Sequence, residues 1–257
     1  MNKEKQTKKV YFISDFHLGI PDKENSLKRE KLLIKWLDEI KNDASEIYLM
    51  GDVFDFWFEY KTVVPKGYLR FFGKIAEICD SGIPVNLFRG NHDIWAFNYL
   101  HEELNIQLHR KPEIKIINGK KFYLAHGDGL GPGDKGYKFL RKVFEFKLNQ
   151  WLFKWIHPDI GARMGLYLSR RSRIANLIKE GRKENNIKDK DEMLYKYSKD
   201  ILKNDPSINY FIFGHKHIPR NSQLSKSSRL IILGDWLTNF TYAVFDGETV
   251  ELKMYKS

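Results

Sequence analysis

Five short segments of this 257-residue chain follow apolar runs with residues that bind hard metal ions. They are Asp15-Phe16-His17, Gly51-Asp52, Gly90-Asn91-His92-Asp93, His126-Gly127-Asp128 and Gly214-His215-Lys216-His217. Ile47-Tyr48-Leu49-Met50 before Gly51 reads as a buried strand. Gly51 lets the chain turn and leaves Asp52 at the strand's C-terminal edge, where ligands sit in α/β sheets. Each segment alone says little. An Asp-x-His pair is common, and His215 and His217 would point to opposite faces of a strand. Both reach one site only from a loop, which Gly214 and Pro219 favour. The weight lies in the joint occurrence. A carboxylate can bridge two cations with its two oxygens, so Asp52 is the expected central bridge. Oxygen and imidazole donors together suit manganese, iron or zinc, and Mn²⁺ tolerates mixed six-coordinate sites. Two cations sharing Asp52, roughly 3.5–4 Å apart, would lower the pKa of a bridging water and offset charge on a phosphoryl group under attack. His101, His109 and His157 lack such settings and read as surface or packing residues.

The elements that must carry these residues follow from periodicity. Val10–Ser14, residues 47–50 and Pro84–Phe88 read as buried strands, separated by helical patterns over 26–41 and 67–79. That β-α-β-α-β order predicts a largely parallel sheet. Glu113–Ile117 and Lys121–Ala125 then flank Asn118-Gly119, the preferred pair for a type I′ hairpin. Strands are expected at 208–213 and 230–233, and a last hairpin turns at Asp246-Gly247. The expected architecture is two mixed sheets face to face with helices outside. Residues 135–200 break the rhythm and read as mostly helical. They hold 17 Lys and Arg against 8 Asp and Glu, nine of the chain's net +11.

That net charge implies an anionic partner: nucleic acid, an acidic membrane surface or a phosphorylated substrate. The single cysteine, Cys79, excludes an internal disulfide and a cysteine-based zinc site, and fits a reducing cytosol. Met1 to Lys9 lacks the apolar core of a signal peptide, and no run approaches the ~20 apolar residues of a membrane span.

The motif order resembles that of the calcineurin-like metallophosphoesterases, over the chain outside 135–200. The resemblance implies a four-layer α-β-β-α sandwich and two divalent metal ions. It implies that Asp15, His17, Asp52 and His217 hold the first, and Asp52, Asn91, His126 and His215 the second. It makes His92 the residue that contacts the phosphate and protonates the leaving group. Asp93 is then expected to orient the His92 imidazole.

Within 135–200, Phe139, Leu140, Val143, Phe144, Leu148, Trp151, Leu152, Trp155 and Ile156 form an apolar helical stripe, with Phe146 and Phe153 off it. Lys138, Arg141, Lys142, Lys147 and Lys154 interleave. That mixture suits either an interfacial helix on an anionic bilayer or a helix pair buried on both faces. Here the chain resembles one branch, the UDP-2,3-diacylglucosamine diphosphatases of lipid A synthesis, whose inserted helical cap holds acyl chains. Asp134-Lys135-Gly136-Tyr137 and Ser172-Arg173-Ile174-Ala175-Asn176-Leu177-Ile178-Lys179 resemble its substrate-contact motifs. The resemblance implies Asp134, Tyr137, Ser172, Asn176 and Lys179 as substrate contacts, with Asn91, His92 and His215. Much of that branch has arginine where His92 stands. The aromatic stretch Phe54 to Pro65 is assigned no role beyond contact with the cap.

The expectation is a metallophosphoesterase core over 1–134 and 201–257 with a helical cap over 135–200. It would be a Mn²⁺-dependent hydrolase that releases UMP and 2,3-diacylglucosamine 1-phosphate from a UDP-linked diacylated sugar. It would be cytoplasmic and peripheral on the inner membrane, with no nucleic acid and no obligate protein partner. The alternatives are a nuclease or nucleotide phosphoesterase, and a phosphoesterase-like scaffold without catalysis.

Overall fold

The strands at the centre of each sheet are buried on both faces, which is why they read as unbroken apolar runs. A computed structural model describes residues 8–133, 135–181 and 193–256, with the side chains of 172–181 outside the described set. The chain begins β1 (Lys9–Ile13), α1 (Lys23–Ile40), β2 (Ala44–Leu49), α2 (Leu69–Asp80), β3 (Val85–Phe88), α3 (Tyr99–Leu104), β4 (Gln107–His109), β5 (Glu113–Ile117) and β6 (Lys120–Ala125). It continues through α4 (Lys135–Glu145), α5 (Lys147–Phe153), α6 (Pro158–Gly181) and α7 (Met193–Asn204). Strands β7 (Tyr210–Phe213), β8 (Arg220–Gln223), β9 (Arg229–Ile232), β10 (Thr241–Phe245) and β11 (Val250–Met254) close it.

The first sheet has the order β11-β10-β1-β2-β3-β4, the second β5-β6-β7-β9-β8. Strands β1 to β4 are parallel, as are β6, β7 and β9, and the remaining pairs are antiparallel. Period-two alternation assigns every residue a layer. On β1, Tyr11 and Ile13 face α1 and α2, while Val10 and Phe12 face the second sheet. On β7, Tyr210 and Ile212 face inward, while Phe211 and Phe213 meet Leu194 and Leu202 of α7. The result is the four-layer α-β-β-α sandwich expected from the motif order. Helix α7 starts inside 135–200 yet packs on the second sheet.

Local signals set the ends. Asp22 caps α1, accepting the Asn25 N–H at 2.9 Å, so that helix starts three residues before its apolar pattern. Buried Glu30 of α1 accepts the N–H groups of Arg70 and Phe71, which would otherwise be orphaned at the start of α2. Asn118 and Gly119 both have positive φ, as a type I′ turn requires. The single stripe expected over 139–156 is corrected to two helices. Phe146 is extended and ends α4, so the stripe is split between α4 and α5, with Trp155 and Ile156 beyond α5. Phe153, which falls off the stripe, packs against Phe56, Phe58, Tyr60 and Trp95 of the aromatic stretch and its neighbour loop.

Phe12 is fully buried between the sheets, with ring centroids 5.1 Å from Tyr48 and 5.7 Å from Phe122. Phe12→Ala should cost about 3–5 kcal/mol, read as a lower urea midpoint at unchanged m-value. A loss below about 1 kcal/mol would mean that the two sheets do not share this core.

Candidate metal centre

Each strand that carries a candidate ligand ends at the same edge of the sandwich. The loops after β1 and β2 lie side by side there. Asp15 N–H donates to Gly51 O at 3.0 Å, and His17 N–H to Asp52 O at 3.0 Å. Asp15, His17, Asp52 and His215 all have positive φ, between 43° and 64°. Residues with a Cβ occupy that region at a cost, and they do so where the surroundings over-determine them. His215 and His217 sit on the loop after β7, not on a strand, so both can face one site. Gly90 is required by close approach: a Cβ there would collide with the Asp52 carboxylate.

Three groups of donors result among the described residues: one joins His17, Asp55 and His92, and the other two flank Asp52. In one of those two, the ligand atoms of Asp15, His17 and His217 lie within 4.8 Å of one another; in the other, those of Asp52, His126 and His215 do. Asp52 stands between them. Its Oδ2 is 3.8 Å from His17 Nε2, 3.4 Å from His126 Nε2 and 4.0 Å from His92 Nε2. Asn91 Oδ1 lies 3.0 Å from His215 Nδ1. The seven residues expected as ligands are thus brought together.

The hydrogen-bond partners fix the tautomers. His126 Nδ1 lies 2.7 Å from Met50 O, an acceptor, so it carries the proton and leaves Nε2 bare. His17 Nδ1 faces Asp55 Oδ1 at 3.3 Å, and His217 Nδ1 faces Asp235 Oδ2 at 3.3 Å. The Nε2 atoms of His17 and His217 face each other at 3.3 Å. His126 Nε2 and Asp15 Oδ1 are buried with no hydrogen-bond partner. An orphaned buried acceptor is costly, and a cation satisfies both of these. The donor set therefore fits divalent metal, with carboxylates behind two of the imidazoles as metal histidines require.

Electrostatics agree. Burial disfavours charge on Asp52, yet His126, His92 and His17 hold its carboxyl well below the usual range. Burial likewise opposes charge on His126, yet Asp52 holds that imidazole well above the usual range. Burial lowers His92 and pushes His215 down to about 4. Burial and the Asp52 charge push Asp93 up to about 7, although both its oxygens accept backbone N–H groups.

One expected role is corrected. Asp93 does not orient His92. Its carboxylate accepts the Gly90 N–H at 2.6 Å and the Val53 N–H at 2.8 Å, tying two loops together. His92 Nδ1 instead lies 2.9 Å from the Asp55 carbonyl oxygen, because the turn over 90–93 folds the Asp93 side chain back toward Gly90. The substrate-contact set is only partly in view. Tyr137 gives its hydroxyl proton to Asp128, which also accepts from Arg141 at 2.9 Å. Asp134 lies outside the described residues. Ser172, Asn176 and Lys179 have their backbone in α6, and their side chains lie outside the described residues. Beside His126, a cleft is lined by Arg89, Arg110, Lys111 and Arg141, a basic wall against the acidic centre.

The roles of three site residues escaped the sequence reading. Asp235 could have been found: Ile231-Ile232-Leu233-Gly234-Asp235 repeats the strand-Gly-Asp pattern of Asp52. Asp55 lies one turn beyond Asp52, but nothing in its spacing shows that it serves histidines. Ser169, buried on α6 and donating to Asp55 Oδ2 at 2.7 Å, has no signal in the sequence.

Residues 8–219 match the family model for calcineurin-like phosphoesterase. A protein of Porphyromonas gingivalis named UDP-2,3-diacylglucosamine hydrolase is 37% identical over 95% of this chain and 97% of its own. One of Histophilus somni (strain 129Pt) with the same name is 28% identical over 89% of this chain and 92% of its own. The solved structure of YfcE, a phosphoesterase from E. coli, aligns at 13% identity and a TM-score of 0.43, covering 94% of this chain and 90% of that one. With the match spanning every strand-end motif from Asp15 to His217, the chain belongs to the calcineurin-like phosphoesterase family.

Proposed function

We propose that this protein hydrolyses the diphosphate of UDP-2,3-diacylglucosamine to UMP and 2,3-diacylglucosamine 1-phosphate, with two divalent cations. The observation that carries the reading is the position of Asp52 Oδ2, within 4.0 Å of imidazoles from both donor groups that flank it. The substrate comes from the relatives of that name, which align with nearly the whole chain.

Asp15, His17, Asp52 and His217 would hold one cation; Asp52, Asn91, His126 and His215 the other. Bound there, two divalent ions, Mn²⁺ by preference for mixed donors, would supply an activated water and offset phosphoryl charge. The chain's own residues do the rest. His92 keeps its Nδ1 proton on the Asp55 carbonyl, so Nε2, beside Asp52, would donate to an oxygen of the phosphoryl group or the leaving phosphate only after taking up a second proton from water. Asp93 holds the Gly90 and Val53 loops in register, which fixes Asn91 and His92 against Asp52. The basic cleft beside His126 suits the charge of a diphosphate.

Helices α4, α5 and α6 form the cap. Phe139 is 70% exposed, Trp151 53% and Trp155 76%, a large apolar surface set among lysines and arginines. Among the described residues no helix is long and apolar enough to cross a membrane. The cap is assigned to seat the acyl chains and to rest on the anionic cytoplasmic face of the inner membrane. Asp134, Tyr137, Ser172, Asn176 and Lys179 are assigned to the sugar and phosphate of the substrate.

With Mn²⁺ and the detergent-dispersed substrate, purified protein should release UMP, and chelator should abolish that release until Mn²⁺ is restored. Asp52→Asn should reduce kcat/KM by about 10²–10³. Release of no more UMP than this variant gives would reject the reading. In flotation assays the protein should bind phosphatidylglycerol vesicles in preference to phosphatidylcholine, less so at high salt. Trp151→Ser with Trp155→Ser should weaken that binding about tenfold, on the scale of two interfacial side chains. Binding that ignores both lipid charge and the two tryptophans would remove the membrane assignment.

A further inference from the structure

Helix α6 touches the metal-centre loop along a single face. Gly161, Gly165 and Ser169 stand four residues apart and therefore lie in one row. A Cβ on Gly161 would strike the Tyr60 hydroxyl, and one on Gly165 would strike the Phe56 ring. The two glycines let the helix backbone settle directly onto the loop that follows Asp52. One turn further along, Ser169 is buried and its hydroxyl donates to Asp55 Oδ2 at 2.7 Å.

Asp55 is itself buried and faces two histidines. Its Oδ1 lies 3.3 Å from His17 Nδ1, and its carbonyl oxygen lies 2.9 Å from His92 Nδ1. One residue thus sets the tautomer and ring plane of a candidate metal ligand with its side chain. With its main chain it sets those of the imidazole assigned to the phosphate. Its remaining side-chain oxygen reaches the cap helix.

We propose that Gly165 and Ser169 are positioning residues, and that the seating of α6 on the Phe54 to Tyr60 loop orients both His17 and His92 through Asp55. The cap then does more than hold a substrate: it is a structural member of the catalytic centre. This rests on reading the centre as a dinuclear site. A carboxylate behind a metal histidine fixes ring orientation and ligand basicity, and loss of such a partner costs about 10–100-fold in metal affinity or activity. Ser169→Ala removes a hydroxyl donor that holds the Asp55 carboxylate in place beside His17.

The test uses bis(p-nitrophenyl) phosphate, a small diester with no acyl chain for the cap to hold. Ser169→Ala should lower kcat on this diester about tenfold or more at unchanged KM. It should weaken Co²⁺ binding by a similar factor in competition with a chelator, and shift the visible absorption of the Co²⁺-loaded protein. Ser169→Thr, which keeps the hydroxyl, should stay near wild type. Gly165→Ala, folded by circular dichroism, should reproduce the Ser169→Ala pattern by pushing Phe56 and its loop away. Wild-type turnover and Co²⁺ affinity in Ser169→Ala would overturn the proposal. So would a loss confined to the acylated nucleotide substrate, which would make Ser169 an acyl-chain contact. If wild-type protein cleaves the diester but not the UDP-linked lipid, the substrate assignment fails while this comparison still decides the role of α6.

Discussion

The constraint on which the structure depends is the burial of many carboxylates in a small space. Asp15, Asp52, Asp55, Asp93, Asp128 and Asp235 are all buried near one edge of the sandwich. Removing a charge from water is expensive unless it is paired or hydrogen-bonded. Here each carboxylate has a distinct solution. Asp93 takes two backbone N–H groups, Asp128 takes Arg141 and Tyr137, and Asp235 takes the N–H groups of Leu237, Thr238 and Asn239. Asp15 and Asp52 are left facing imidazoles whose inward nitrogens are bare. That imbalance is the site's chemistry: the fold satisfies the outer carboxylates with its own donors and leaves the inner ones for cations.

Such a centre cannot hold itself together, so its precision is borrowed from the layers beneath it. Parallel β1, β2 and β3 keep their loops in register, and N–H groups from one loop reach carbonyls of the next. The four ligand residues at positive φ are each locked by such a bond or by a carboxylate. His215, for example, donates its N–H to Asp15 Oδ2 at 3.0 Å. Strain of this kind persists because three apolar clusters, not the site, supply the folding energy.

What was legible in the sequence follows from this division. Ligands at the ends of apolar strands announce themselves, because a buried run followed by Gly-Asp or Gly-His breaks the local pattern. The Asn118-Gly119 hairpin is equally plain, since few residue pairs accept two positive φ values. Edge strands β4 and β8 were not visible: Gln107–His109 is too short, and Arg220–Gln223 is too polar, to show as an apolar run. The break between α4 and α5 was hidden because Phe146 is apolar and has no helix-stopping signature. Roles set by tertiary approach were the least readable. That Asp93 binds backbone rather than His92, and that Asp55 serves two histidines, depends on where loops from different strands meet.

The charges of the chain fall into an ordered pattern. Six aspartates are buried within and behind the metal centre, while 17 of the 44 Lys and Arg lie in 135–200. An anionic substrate approaching this edge would meet the basic side chains of the cap and of the Arg89–Arg141 cleft first. It would meet the acidic centre only once cations had reversed its sign. Without those cations, the centre would repel the phosphoryl group that the outer residues attract. The same arrangement explains why the helices can be basic and apolar at once. Among the described residues, tryptophans such as Trp151 and Trp155 stay exposed, while the small residues Gly161, Gly165 and Ser169 meet the loop that follows Asp52.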